Sequence, residues 1–309
     1  MAVLLEAKGL TTNFYTYEGR VQALESFSLT LQHGETFGLV GESGCGKSVT
    51  VRSMMRIIQA PGRIESGEVL FHETPGCPPL DLLALSEKQM EAVRGESISM
   101  VFQEPNAALN PVMPIGEQVA ESFLFHRTGV MSRDIHKALT GRGASLFSRL
   151  LAIPYGLAAK HPKSKLLKLL SRIPLLSRWD RPLKREALKR SVDIIGQLGI
   201  ANPEEIVDRY PHNLSGGMKQ RIVIAIALAC EPVLLIADEA TSNLDVTVQA
   251  QILELMKDLI ETTISSVLLI THDLGVVAET CDRVGVMYAG RLCEVGDVEP
   301  LFKSPLHPY

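Results

Sequence analysis

Between Thr36 and Ser48 the chain reads TFGLVGESGCGKS, an apolar run followed by a glycine-rich octet. The octet Gly41, Glu42, Ser43, Gly44, Cys45, Gly46, Lys47 and Ser48 matches G-x-x-x-x-G-K-[ST] at every fixed position. No other stretch constrains the fold so tightly. The glycines let successive N–H groups turn toward phosphate oxygens, and the following helix adds its positive N-terminal end. Such a loop works only between a buried strand and a helix. TFGLV supplies the first, and SVTVRSMMRII, with apolar residues at helical spacing, supplies the second. The octet is therefore expected to cradle the phosphates of ATP, with Lys47 on the β and γ phosphates and the Ser48 hydroxyl on Mg²⁺. Cys45 fills a variable slot and is assigned no chemistry of its own.

A second apolar run, VLLIADE, ends in two acids. The carboxyl end of a buried strand is where open α/β sheets bind ligands. Asp238 is placed to hold the Mg²⁺ shell and Glu239 to polarise the attacking water. Helix capping would account for one acid but hardly for two in succession. His272 closes the next apolar run, SVLLITH, and is expected to point at the same γ-phosphate. Gln103 ends SMVFQ just before Glu104–Pro105 and is expected to contact Mg²⁺ or the water.

Buried, non-alternating strands separated by helices predict a parallel sheet covered on both faces. The expected fold class is α/β, and resemblance to P-loop NTPases implies a RecA-like core with an N-terminal antiparallel β subdomain and an inserted α-helical subdomain. Core and β subdomain are expected over 1–104 and 230–296, the helical subdomain over 105–229, and a C-terminal segment over 297–309. RVGVMYAGRLCEVG reads as a hairpin turning at Ala289–Gly290. No apolar run approaches the roughly 20 residues of a membrane span, so membrane contact is expected to be peripheral. The N-terminus shows no secretory pattern, and five scattered cysteines without a C-x-x-C pair suggest a reducing compartment.

One stretch is surplus to a single phosphate site. NLSGGMKQR places Ser215, Gly216 and Gly217 ahead of a helix expected from Met218, which makes a second anion cradle. Serving a phosphate loop on a neighbouring molecule, it would sandwich two ATPs between head-to-tail subunits.

With these motifs in order, the chain resembles the nucleotide-binding subunit of ABC transporters along essentially its whole length. The resemblance implies a glutamine loop at Gln103, a signature at Leu214–Gln220, a D-loop at Ser242–Asp245 with Asp245 near the nucleotide, and a switch histidine at His272. It also implies an adenine-stacking aromatic before the phosphate loop, with Tyr17 the first choice and Tyr15 the second. FQEPNAALNPVMPIGEQ, LLIADEATSNLDVTVQAQIL and SPLHPY resemble the oligopeptide/dipeptide/nickel importer branch. Ala240 stands where the family commonly has proline, and Asn243 where it has a small residue. The implied function is ATP hydrolysis energising uptake of peptides or a related solute. The implied partners are a second, different ABC ATPase subunit, two transmembrane permease subunits and an extracytoplasmic solute-binding protein. The implied location is the cytoplasmic face of the inner membrane. A soluble ABC ATPase acting on ribosomes or DNA is the alternative; such proteins usually carry two cassettes or a long coiled coil, and neither is visible.

Charge is unevenly placed. The chain is −4 overall, yet residues 131–190 hold 15 Lys/Arg against 3 Asp/Glu. The resemblance marks about 130–185 as an insert, whose Leu/Ile clusters alternate with basic residues and prolines. It reads either as basic amphipathic helices near anionic lipid or permease, or as an insert packed on its own subdomain. Aromatic interleaving is thin, and no nucleic-acid partner is expected.

Overall fold

The computed structural model describes residues 2–141, 146–160, 164, 179–240, 246–262 and 266–308. The D-loop with Asp245, and the stretches 142–145, 161–163 and 165–178 of the basic segment, lie outside the described residues. The chain forms two compact units, Met1–Glu104 with Glu231–Tyr309, and Pro105–Cys230.

The first unit holds two sheets. β1 (Val3–Thr16), β2 (Gly19–Gln32), β4 (Gly62–Phe71) and β5 (Leu80–Asp81) form an antiparallel sheet in the order β2-β1-β4-β5. The apolar runs here (VLLEAKGL, FYTYEGRV, ALESFSLTL) are short, yet β1 and β2 are each 14 residues long. Register shifts between Ala7 and Thr12 absorb the interruptions in the apolar pattern, so the hairpin continues through them. The second sheet has the order β10-β9-β3-β8-β7-β6. It comprises β3 (Thr36–Gly41), β6 (Ile98–Val101), β7 (Leu234–Asp238), β8 (Ser266–Ile270), β9 (Arg283–Tyr288) and β10 (Arg291–Asp297). All its pairings are parallel except β9 with β10, which turn at Ala289–Gly290.

β3, β7 and β8 are buried at every position, as strands covered on both faces must be. Leu39 pairs with Ile270, and Ile270 with Asp238, so these strands end level at one sheet edge. The helix Lys47–Met54 starts from that edge and sends Val51 and Met54 into a core shared by both sheets, with Leu10, Phe27, Phe71, Leu39, Ile236 and Leu268. The glycine-rich loop is thus anchored at both ends by buried apolar surface.

The second unit is helical in its described residues. Its principal helices are Ile115–His126, Thr128–Thr140, Leu146–Lys160, Asp180–Gln197 and Gly216–Leu228. The last buries Ile222, Val223, Ile224 and Ala225. Proline was expected to interrupt the helices of the basic segment, yet Leu146–Lys160 runs through Pro154. Burial of Ala152, Tyr155 and Ala158 around it offsets the lost backbone hydrogen bond. The Tyr155 hydroxyl also donates to the Trp179 carbonyl at 2.6 Å, tying this helix to the start of Asp180–Gln197.

Ile236 is fully buried in the central strand β7. Ile236→Ala should cost about 3 kcal/mol, read as a lower midpoint in denaturant unfolding of the purified chain.

Candidate functional site

Two glycines of the octet are required by space as well as by conformation. A Cβ on Gly41 would lie 2.2 Å from the Met287 carbonyl oxygen. On Gly46, at φ +106°, it would lie 2.7 Å from the Ala23 oxygen. Gly46 is the N-cap of Lys47–Met54 and turns the chain into the helix. Lys47 is buried, and its ammonium donates to the carbonyls of Gly41 at 2.7 Å and Glu42 at 2.9 Å. The Cys45 thiol is buried, and burial pushes its pKa up, so the group stays protonated. The loop uses this residue's backbone.

Across the sheet edge, the Ser48 hydroxyl donates to Asp238 Oδ1 at 2.7 Å. Asp238 is wholly shielded from solvent. Its other oxygen, Oδ2, accepts no hydrogen bond, and the Arg52 guanidinium stands 3.9 Å away. Burial raises the Asp238 pKa, against the opposing pull of the Ser48 hydroxyl and the Arg52 charge. A buried carboxylate oxygen without a donor, beside a serine hydroxyl, fits a hard divalent cation. Mg²⁺ takes one or two carboxylates and completes its shell with phosphate oxygens and water. Among the described residues no cluster of three His, Cys, Asp or Glu forms an all-protein metal cage.

Glu239 follows immediately, in the left-handed region at φ +48°. This turn places its carboxylate between two partners from neighbouring strand ends. Gln103, beyond β6, donates Nε2–H to Glu239 Oε2 at 2.8 Å. His272, beyond β8, brings Nδ1 to 3.7 Å from Oε1. Glu239, Thr271, His272, Asp273 and Gln249 line a cavity of about 500 Å³. The structure therefore brings together the octet with Gln103, Asp238, Glu239 and His272.

The aromatic candidates differ. Tyr17 is fully exposed in the β1–β2 turn. Tyr15 donates its hydroxyl to Glu65 at 2.8 Å and carries the Arg63 guanidinium 5.5 Å over its ring.

In the second unit, Ser215 is the N-cap of Gly216–Leu228 and its hydroxyl accepts the Met218 N–H at 3.3 Å. The helix opens two residues earlier than its sequence suggests. Gly216 and Gly217 are thus its first turn, where N–H groups lack intrahelical acceptors.

Arg52, Asp273 and Gln249 are the site neighbours that motif reading passed over. Arg52 was accessible through its i+4 spacing from Ser48. Asp273 caps Leu274–Thr280 through Gly275 and Val276 N–H and receives Gln249 Nε2 at 3.4 Å.

A profile of the ABC transporter family matches residues 24–242. The chain belongs to the ABC transporter family. The oligopeptide transport ATP-binding protein OppD of Bacillus subtilis is 44% identical over 307 residues, covering 99% of this chain and 69% of that protein. The dipeptide transport ATP-binding protein DppD of the same organism is 41% identical over 310 residues, covering 100% and 75%. The fold matches the dimeric structure of a bacterial ABC transporter cassette at TM-score 0.66, with 23% identity over 96% of this chain and 99% of that one. As an ABC protein the chain is an ATPase. Among the described residues no helix is long and apolar enough to cross a membrane.

A raised Asp238 pKa favours folding below the ordinary aspartate value of 3.8 and loses that contribution as pH rises through the folded value. Asn at 238 carries no charge to bury. Asp238→Asn should therefore melt higher than the parent chain at pH 8 without nucleotide, with the gap narrowing as pH falls toward 4. Thermal melts across that range would check this.

Proposed function

We propose that this ABC ATPase energises uptake of peptides or a related solute across the cytoplasmic membrane, working as a dimer that sandwiches ATP. The observation that carries the chemistry is Glu239, set between Gln103 and His272 one residue beyond the Ser48–Asp238 pair. Names of the relatives at 41–44% identity support the peptide substrate.

In this reading the octet's N–H groups and Lys47 bind the β and γ phosphates. Ser48, Asp238 and Gln103 would hold Mg²⁺, which would supply positive charge to neutralise the phosphates. Glu239 accepts a hydrogen bond from the attacking water and orients it in line with the γ-phosphate, and His272 donates to the γ-phosphate oxygens. Glu239 Oε2, which accepts Gln103 Nε2–H at 2.8 Å, keeps a second lone pair for the water. Tyr17, or Tyr15 beside it, stacks on adenine. Ser215, Gly216 and Gly217 present their donors to the γ-phosphate held by the other subunit, and resemblance to the family adds Asp245 to the nucleotide-binding residues. Hydrolysis then removes a ligand shared by two chains, and the dimer opens.

The partners in this reading are a second, different ABC ATPase chain, two permease subunits and an extracytoplasmic solute-binding protein. The chain sits peripherally on the cytoplasmic face of the inner membrane. The basic segment at 130–185 provides charge for anionic lipid, at about 1 kcal/mol per Lys or Arg near the surface.

Glu239→Gln keeps the shape of the site but loses the acceptor charge. Turnover should fall by about 10²-fold or more while ATP binding persists, measured by phosphate release and equilibrium nucleotide binding. Ser215→Arg fills the second cradle. It should suppress turnover and ATP-dependent dimerisation, followed by light scattering, with ATP affinity of the monomer unchanged; lost monomer affinity would place both cradles on one nucleotide.

A further inference from the structure

Ser48 and Arg52 stand one turn apart on Lys47–Met54, so both side chains rise from one face of the helix toward the end of β7. They divide the Asp238 carboxylate between them. Ser48 donates to Oδ1 at 2.7 Å. The Arg52 guanidinium stands 3.9 Å from Oδ2, too far for a hydrogen bond but close enough for its charge to act. Oδ2 is buried and receives no hydrogen bond, while the Arg52 side chain is 46% exposed. Arg52 thus supplies field rather than a ligand. Lys47, the other nearby cation, gives its N–H groups to the Gly41 and Glu42 carbonyls.

A divalent ion held by Ser48 and Asp238 would draw on the same single negative charge as Arg52 and would repel it. A triphosphate changes that balance, because its oxygens bring both ligands and negative charge. We propose that Arg52 is a cation placeholder: it compensates Asp238 before metal binds and disfavours metal alone, so that the divalent ion enters together with the nucleotide. Arg52 acts through Asp238 and is a positioning residue. The inference rests on Ser48 and Asp238 being the metal site.

The test is a Mn²⁺ titration of the full chain by electron paramagnetic resonance, with and without a saturating non-hydrolysable ATP analogue. Arg52→Met keeps the length and apolar stem of the side chain and removes its charge and donors. Without nucleotide, R52M should bind Mn²⁺ about tenfold tighter than the parent chain, and added salt should shrink the difference. The metal-free variant should melt about 2 °C lower, and Arg52→Lys should restore both values. Tighter metal binding with lower apo stability separates a charge role from a packing role, since lost packing would weaken both. Equal or weaker Mn²⁺ binding by R52M, or none by either protein at millimolar Mn²⁺, overturns the proposal. Asp238→Asn with the analogue, scored by the spectrum of protein-bound Mn²⁺ rather than by loss of the free-ion signal (the analogue itself chelates Mn²⁺), keeps the two readings apart. If it abolishes Mn²⁺ binding, the metal site stands whatever Arg52 does; if Mn²⁺ still binds as in the parent chain, the site and the placeholder fall together.

Discussion

A carboxylate at the end of β7, shielded from water on every side, sets the terms for the surrounding site. Burying a charge is costly unless it is compensated, and Asp238 has one hydroxyl donor and one distant guanidinium. Both come from the helix that follows the phosphate loop. The loop, the helix and the acidic strand end are consequently one electrostatic unit. Its geometry is fixed by Val51 and Met54 at the far end of that helix, inside the core the two sheets share.

The level ends of β3, β7 and β8 do the rest. Parallel pairing aligns Leu39, Ile270 and Asp238, so residues just beyond each strand meet at one edge although more than 200 positions separate the first from the last. Glu239 turns through a left-handed conformation at this edge, which sets its carboxylate beside Gln103 and His272. Such strain persists only where the surroundings over-determine it. Here the Glu239 N–H is held by the Ile270 carbonyl at 3.0 Å and the side chain by Gln103. The second cradle, at Ser215–Gly217, uses a different device: a serine-capped helix whose first turn is two glycines, with most of the helix behind it buried.

Much of the fold was legible because its signals are local. Mostly apolar runs at Thr36, Val233 and Ser266 announced the parallel strands, and the octet announced the strand–loop–helix unit. Continuity was less legible. β1 and β2 run for 14 residues across bulges, and Leu146–Lys160 runs through Pro154. In both cases tertiary burial outweighs a local break, which no short window registers. The site divided along the same line. Asp238, Glu239, His272 and Gln103 announce themselves by ending apolar runs, whereas Arg52 looks like an ordinary surface arginine until Asp238 is beside it.

The sequence by itself determined which groups are on hand: a glycine-rich octet, two acids at a strand end and a second glycine turn have fixed residue identities and spacings that owe nothing to distant parts of the chain. Only the tertiary structure decided how these groups share their charges. That Oδ1 of Asp238 goes to Ser48 while Oδ2 is left with the field of Arg52, and that Gln103 reaches Glu239 Oε2, depends on strand register and helix packing. Those arise from apolar contacts between segments far apart in the chain, and desolvation of a carboxylate exists only once such contacts have closed around it.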